Sequence, residues 1–147
     1  DLHTAYRRQR QMCIRDSNQG KIAHSRNGFT NTTLFTRFYK LGKWNIKLTG
    51  MPDKVDEDFV YEFKTYHSPR AKVRNKKVGK VQLLVYEFLT GLPGKLVLYD
   101  IQEDKITDTI NIPFNSKEFR KIIKKALKLK LMVEKFKNDF KTAQESL

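Results

Sequence analysis

The sequence predicts a single mixed α/β domain in which a central β-sheet is flanked by helices. The length of 147 residues is near the commonest size of one domain. Short runs with a period of two residues alternate with longer runs of helical spacing, and polar or glycine-containing segments separate them. No internal repeat is evident. The predicted order of elements is helix, three strands, helix, two strands and helix (α-β-β-β-α-β-β-α).

The N-terminal segment of the chain is expected to lie outside this domain. Residues 1–17, DLHTAYRRQRQMCIRDS, show neither helical nor strand periodicity and lack the apolar middle of a signal peptide. They resemble translated sequencing-adapter readthrough, so we expect a non-native or disordered tail, the alternative being an ordinary basic tail. We then expect one domain over residues 18–147, shortened at its N-terminus, and no function for Cys13 or His3.

Cysteine usage limits the chemistry that the domain can carry. Cys13 is the only cysteine, so we expect no internal disulfide, no four-cysteine zinc site and no iron–sulfur cluster. A chain without disulfides fits a reducing, intracellular compartment, and we expect a cytoplasmic protein.

The first predicted elements are a helix end and a hairpin. Residues 20–24 fit the end of a helix, and the polar residues 25–33 fit a loop. Residues 34–41 and 44–49 alternate apolar and polar side chains on either side of Gly42-Lys43. This pattern predicts a β-hairpin.

The middle of the chain is predicted to hold a strand, a basic loop and a helix. Residues 50–58 form a turn-rich acidic connection, and residues 59–66 alternate as a third strand. Residues 70–80 are basic without an acid, which we interpret as a mobile loop. Residues 81–90 have the spacing of a mostly buried helix that ends at Gly91.

The last third predicts a second hairpin and a long helix. Residues 95–100 and 105–112 read as strands. Asn115 and Glu118 occupy the N-cap and N3 positions of a helix. The apolar residues that recur at helical intervals beyond them are Phe119, Ile122, Ile123, Ala126, Leu127, Phe136 and Phe140.

The charge balance points to a polyanionic partner. Thirty Lys and Arg against 16 Asp and Glu give a net charge of +14, so nucleic acid is the first partner to consider and a membrane surface the second. The alternative is that lysine richness reflects genome composition and solubility. No membrane span is expected, because the most apolar run, residues 81–89, is interrupted by Gln82 and Glu87.

Two carboxylates and a lysine are predicted to converge on one strand. Glu62 and Lys64 share a strand face because side chains alternate with a period of two, and the preceding turn can bring Asp53 to the end of that strand. Two carboxylates suit a hard cation such as Mg²⁺, and a lysine can orient an attacking water. The alternative is a surface ion pair on an edge strand.

A polar pair and a histidine accompany this cluster. Gln82 and Tyr86 lie four residues apart on one face of an otherwise apolar helix, from which they can point toward the carboxylates. Upstream, the Gly20-x-x-x-His24 segment supplies an imidazole that can ligate a metal or contact phosphate. The alternative for His24 is a structural histidine.

This combination resembles the PD-(D/E)XK nuclease superfamily, and within it the RecB-type exonuclease branch that includes the CRISPR-associated adaptation nucleases. The resemblance covers roughly residues 20–90. That family carries four short motifs in this order: Gly-x-x-x-His, Gly-x-x-Asp, (Glu/Asp)-x-Lys and Gln-x-x-x-Tyr. In this chain the matching residues are Gly20 and His24, Gly50 and Asp53, Glu62 and Lys64, and Gln82 and Tyr86.

The resemblance implies a restriction-endonuclease-like fold and a metal-dependent site. Asp53, Glu62, the Phe63 carbonyl and His24 would hold one or two Mg²⁺ or Mn²⁺ ions. Lys64 would position the hydrolytic water, and Gln82 and Tyr86 would support the site or the substrate strand. Many relatives bind an iron–sulfur cluster through four cysteines, which this chain lacks.

Further charged residues carry open interpretations. The bases of residues 70–80 either guide a phosphate backbone or belong to a solvated loop; they are Arg70, Lys72, Arg74, Lys76, Lys77 and Lys80. The same alternatives apply to Lys121, Lys124, Lys125 and Lys128 of the last helix. Asp56, Glu57 and Asp58 are interpreted as turn acids, and His67 is left outside the site.

These observations predict a metal-dependent deoxyribonuclease. We expect an exonuclease that acts on DNA with single-stranded or duplex ends, and protein partners in a DNA-processing complex of repair, replication, CRISPR or viral type. One alternative is a catalytically inactive nucleic-acid-binding module of the same fold. A second is a structural or interaction domain whose charge is incidental.

Overall fold

The computed structural model describes residues 18–146 as a mixed α/β protein with three helices and two sheets within that range. The expectations for residues 1–17, including those for Cys13 and His3, lie outside the described residues. In chain order the elements are α1 (18–26), β1 (Phe35–Leu41), β2 (Trp44–Gly50), β3 (Lys54–Val55), β4 (Val60–Tyr66), α2 (Pro69–Thr90), β5 (Gly94–Asp100), β6 (Lys105–Ile112) and α3 (Ser116–Glu145).

The central sheet has the order β3-β4-β5-β6. Strands β4 and β5 are parallel, and the other two pairs are antiparallel. Parallel neighbours need a crossover connection, which α2 supplies by crossing one face of the sheet from the end of β4 to the start of β5. The mixed sheet predicted from the sequence is therefore confirmed for β4, β5 and β6.

The predicted hairpin of β1 and β2 is confirmed, but it does not join the central sheet. It forms a two-stranded sheet of its own, so the expectation of one central sheet is wrong here. Its turn begins at Gly42, whose φ of 57° favours glycine. The inner face of the hairpin packs its apolar side chains on α2 and α3, and this packing separates it from the central sheet. The residues of this contact include Tyr39, Leu41, Ile46, Leu48, Phe88 and Phe119.

A short strand lies inside the connection that was predicted as a turn. Lys54 pairs with Tyr61 and Val55 with Val60, so the element order has one more strand than expected. The Asp56 carboxylate closes the β3–β4 hairpin by accepting hydrogen bonds from the backbone N–H groups of Asp58 and Phe59. The interpretation of Asp56 as a turn acid agrees with this geometry.

The basic stretch of residues 70–80 is helical, so the prediction of a mobile loop is wrong. Helix α2 begins at Pro69, and the Ser68 hydroxyl caps it by accepting from the Ala71 N–H. A Ser-Pro start is a strong helix signal, and lysine and arginine have high helix propensity. The predicted end is confirmed, because Gly91 has a φ of 74° and its N–H donates to the Glu87 carbonyl.

The core lies on both faces of the central sheet. On one face, Val60, Leu96 and Leu98 pack with Leu83 of α2. On the other, Phe63, Val97 and Tyr99 pack with Ala23 of α1 and with Phe29. Helix α2 approaches the sheet closely at Gly79, where a Cβ atom would lie 2.5 Å from Leu96. This close approach determines the distance between the next turns of α2 and β4.

The final helix is confirmed with its predicted N-cap, since the Asn115 side chain accepts from the Glu118 N–H. Phe119 and Ile123 are buried, but Phe136 and Phe140 are 72% and 57% exposed. Within residues 18–146, no helix is both long and apolar enough to cross a membrane.

Candidate active site

A cleft of about 400 Å³ lies between β4, α1 and the middle of α2. It contains every residue that the sequence predicts as catalytic or metal-ligating: His24, Asp53, Glu62, Phe63, Lys64, Gln82 and Tyr86. Thr65, Asn75 and Val78 complete its lining. Four separate motifs of the sequence therefore meet in one place.

Strand β4 places the side chains of Glu62 and Lys64 next to each other. Its side chains alternate, so Glu62 and Lys64 face α2 while the Phe63 ring enters the apolar cluster on the opposite face. The Lys64 Nζ atom lies 2.5 Å from Glu62 Oε1. The Glu62 side chain is 3% exposed, so the alternative of a surface ion pair does not describe this contact.

The Asp53 side chain accepts a hydrogen bond from the part of the β4 edge that β3 does not cover. Strand β3 pairs with β4 only as far as Tyr61, and the next N–H on that edge, that of Phe63, donates to Asp53 Oδ2 at 2.8 Å. The N–H and carbonyl of one strand residue point to the same side. The Phe63 carbonyl therefore faces the same edge as the Asp53 carboxylate.

The loop that carries Asp53 is held by a residue that sequence analysis missed. The Asn31 N–H donates to the Asp53 carbonyl at 3.0 Å, and its side-chain amide donates to the Pro52 carbonyl at 2.9 Å. Asn31 lies in a polar stretch that was interpreted only as a loop. Its partners lie beyond the whole β1–β2 hairpin in the sequence, so no local pattern indicates its role.

His24 completes the polar wall on the α1 side. Its Nδ1 atom lies 3.7 Å from Asp53 Oδ1, and its ring meets the Phe63 ring edge-on with centroids 4.6 Å apart. Burial lowers the pKa of His24; the Asp53 charge opposes this effect and the Lys64 charge adds to it. A neutral imidazole retains a free nitrogen lone pair, as a metal ligand requires.

The two carboxylates disfavour each other's charge. Burial, followed by the Asp53 charge, raises the pKa of Glu62 to about 7, whereas Lys64 acts in the opposite direction. One lysine therefore does not fully offset two clustered acids in a desolvated cleft. A bound cation would stabilise the ionised form of both.

Helix α2 presents a row of polar groups to this cluster. Burial, followed by the charges of Glu62 and Asp53, raises the pKa of Tyr86 to about 12, which keeps its hydroxyl a hydrogen-bond donor at neutral pH. Gln82 Oε1 is buried, and no group among residues 18–146 donates to it. The Tyr86 ring packs against Gly50, and a Cβ atom at position 50 would lie only 2.9 Å from the ring.

Asn75 is a second cleft residue that sequence analysis missed. Its side-chain amide donates to the Thr65 carbonyl at 2.7 Å, on the same open edge of β4 that Asp53 serves. Asn75 lies seven residues before Gln82, which is two helical turns. That spacing indicates a shared face only if residues 70–80 are helical, whereas their sequence predicts a loop.

The predicted basic residues do not form one surface. Arg74 is exposed and lies one turn before Val78, about 40° around the helix from that residue of the cleft lining. Lys80 is two positions from Gln82, about 200° around the helix, and points away from the cleft. Lys72 pairs with Asp108 of β6 at 2.5 Å.

The donor set suits a hard cation, although it is not assembled as a closed cage. No group of three or more His, Cys, Asp or Glu side chains in the described range is arranged to hold a metal ion. The available donors are two carboxylates, a backbone carbonyl and an imidazole, and oxygen donors of this kind are those that Mg²⁺ and Mn²⁺ prefer. The mutual repulsion of Asp53 and Glu62 supports the fit, because a cation between them would relieve it.

The fold and the cleft define a mixed α/β protein with a buried acid–lysine cluster at the open edge of a central strand. The crystal structure of SSO0001 is similar to it, with a TM-score of 0.63 and 22% sequence identity over 81% of this chain. At that identity the likeness concerns the fold alone. This chain spans 62% of the length of that chain. No family model and no curated protein matches the chain.

Proposed function

We propose that this protein is a metal-dependent nuclease that hydrolyses phosphodiester bonds of DNA, with a restriction-endonuclease-like fold of the PD-(D/E)XK superfamily. The observation that carries the proposal is the convergence of Asp53, Glu62 and Lys64 in one cleft with the Phe63 backbone at an open strand edge. Four motifs from separate parts of the sequence meet there, which an incidental ion pair does not require.

Each side chain has a role that follows from its surroundings. Asp53, Glu62, the Phe63 carbonyl and His24 would hold Mg²⁺ or Mn²⁺, which supplies charge stabilisation at the scissile phosphate when bound. The Lys64 ammonium, which lies beside the Glu62 carboxylate, orients the attacking water. Tyr86 keeps its proton and donates a hydrogen bond to a phosphate oxygen, with Gln82 beside it.

The proposed substrate follows from the charge and from the family that the motifs resemble. A net charge of +14 favours a polyanion, and the RecB-type branch favours an exonuclease on single-stranded or duplex DNA ends. We place the protein in the cytoplasm, without an iron–sulfur cluster, and with protein partners in a DNA-processing complex.

A catalytically inactive nucleic-acid-binding module is the second candidate. The observation that favours it is the Lys64–Glu62 contact, which occupies one of the carboxylate oxygens that a cation would need. A module of this kind binds DNA without cleaving it under any metal condition.

Cleavage of end-labelled single-stranded and duplex DNA in Mg²⁺, Mn²⁺ or EDTA tests the proposal. We expect metal-dependent products from the native chain, none in EDTA, and a loss of at least about 100-fold in Lys64→Ala. Lys80→Ala is the matched control, since it removes an exposed lysine from the far side of α2. Binding without cleavage favours the inactive module, and full activity in Lys64→Ala contradicts the site. Negligible binding even at low salt indicates instead a structural or interaction domain.

A further inference from the structure

The distal half of α3, residues 128–145, holds no buried residue, although Lys130, Leu131 and Glu134 line a cavity against β2. Every residue of this segment is exposed, whereas Phe119 and Ile123 at the start of the same helix are buried. Leu131, on the cavity side, is 37% exposed, and the other large apolar residues of the segment are 52% to 72% exposed: Leu129, Met132, Val133, Phe136 and Phe140. A contiguous apolar face on a solvent-exposed helix is typical of a surface that binds a partner.

The spacing of this apolar face identifies the kind of partner. Seven positions alternate four and three residues apart, without a break, over three heptads: Ile122, Ala126, Leu129, Val133, Phe136, Phe140 and Ala143. This seven-residue repeat is the a/d pattern of a coiled coil, whereas a straight helix on a flat surface drifts by about 20° per heptad away from it. The pattern therefore fits a second helix wound against α3.

The heptad seam is not the face that packs on the domain itself. Phe119, Ile123 and Leu127 contact the β1–β2 hairpin and are spaced by four. Leu129 and Phe136 lie roughly a third of a turn or more around the helix from the middle of that row. The seam thus remains open from Leu129 onward, while the start of the helix stays anchored to its own domain.

We infer that the seam pairs with the same segment of a second copy of this chain. A two-fold pair buries both seams against each other and leaves no apolar stripe exposed. Four large seam residues and the flanking Met132 are each more than half exposed, and together they would bury on the order of 1,000 Å² across such a pair. That area reaches the lower limit of a specific interface.

The charge of the segment argues against an anionic lipid surface as the occupant. Residues 128–145 hold five lysines and three acids, a net charge of +2 out of the +14 of the chain. Membrane-surface helices concentrate positive charge on the polar face instead. Because two copies of +14 repel each other, the pair should tighten as salt increases, which is opposite to binding of nucleic acid.

Sedimentation equilibrium of the full chain between about 1 and 100 μM, at two salt concentrations, tests the inference. We expect a monomer–dimer equilibrium that shifts toward the dimer at the higher salt, with Phe136→Glu at least about tenfold weaker. Asn138→Glu introduces the same charge two positions away, on the opposite side of the helix, and should dimerise as the native chain does. Phe140→Glu, a second variant of the seam, should reproduce the effect of Phe136→Glu, and circular dichroism verifies the fold of each variant.

Three results would overturn the inference. The native chain could remain monomeric at 100 μM, or the two glutamate substitutions at positions 136 and 138 could weaken the dimer equally. The third is a monomer that binds phosphatidylserine vesicles through Phe136 and Phe140, which would assign the seam to a lipid surface.

Discussion

Glu62 and Glu87 are the two buried acids of the described part of the chain, and the comparison between them separates burial from function. Each is 3% exposed, and burial raises the pKa of each to about 7. Their neighbours differ. Glu62 shares its cleft with Asp53 and Lys64, whereas Glu87 borders a separate cavity with Arg37 and accepts a single hydrogen bond, from the Gly94 N–H at 2.7 Å.

The contrast shows that a raised pKa alone does not identify an active site. Glu87 ties the end of α2 to the start of β5, and Gly94 permits the contact because a Cβ atom there would lie 3.0 Å from Glu87 Oε1. Among the residues described, nothing donates to the other carboxylate oxygen of Glu87. Glu87 is thus a structural acid, whereas several groups of different chemistry converge on Glu62.

The largest expected difference between the two acids is in catalysis. Glu62→Gln keeps the shape of the side chain but removes a charge that a cation requires, so we expect DNA cleavage to fall by at least about 100-fold. Glu87→Gln leaves the cleft intact, and its rate should stay within about twofold of the native rate. Initial rates on one end-labelled strand in Mn²⁺ measure both. Equal losses in the two variants would mean that the cleft does not distinguish them.

The next effect is on the pH dependence of stability. The folded-state pKa of Glu87 is raised to about 7, so between about pH 4.5 and 7 the folded chain retains a proton that the unfolded chain has released. The stabilisation is complete below that window and is lost as the pH rises through it. We expect the free energy of unfolding to fall by about 2 kcal/mol across the window.

Urea denaturation at pH 5 and pH 8 measures this change. Using a Glu62→Gln background removes the other carboxyl of residues 18–146 whose pKa is raised. Adding Glu87→Gln to that background should abolish most of the pH dependence, because an amide does not titrate. A dependence of undiminished size would assign the titration to another group.

The smallest expected effect separates the two sides of α2. Arg74 is one turn from Val78 of the cleft lining and Lys80 points away, so Arg74 is the better placed of the two to contact a strand that enters the site. Arg74→Gln should reduce the salt dependence of DNA binding by about one counterion, whereas Lys80→Gln should leave the slope unchanged. Fluorescence anisotropy in EDTA, over a series of salt concentrations, measures binding without cleavage. Equal slopes would show that the bases act only through net charge.

The sequence predicts the parts of the site that depend on local periodicity. The period of two placed Glu62 and Lys64 on one face of β4, and a separation of four placed Gln82 and Tyr86 together on α2. Asn75 was missed because a run of bases was interpreted as a loop, although Ser68 and Pro69 carry a helix-start signal.

The remaining differences depend on contacts between distant parts of the chain. The pairing within the β1–β2 hairpin is local, but the surface it packs on includes Phe119, which belongs to the last helix of the chain. Strand β3 has only two residues and depends on the turn that Asp56 closes. Neither the packing of the hairpin nor the formation of β3 produces a periodic pattern in the sequence.

Binding of Mn²⁺ by isothermal titration calorimetry tests most directly whether the Glu62 cluster is a metal site and the Glu87 site is not. The native chain and Glu87→Gln should bind Mn²⁺ with the same Kd. Glu62→Gln should bind at least about tenfold more weakly, since it loses one of two carboxylates. Equal binding by all three proteins, or no binding by the native chain, would contradict the account.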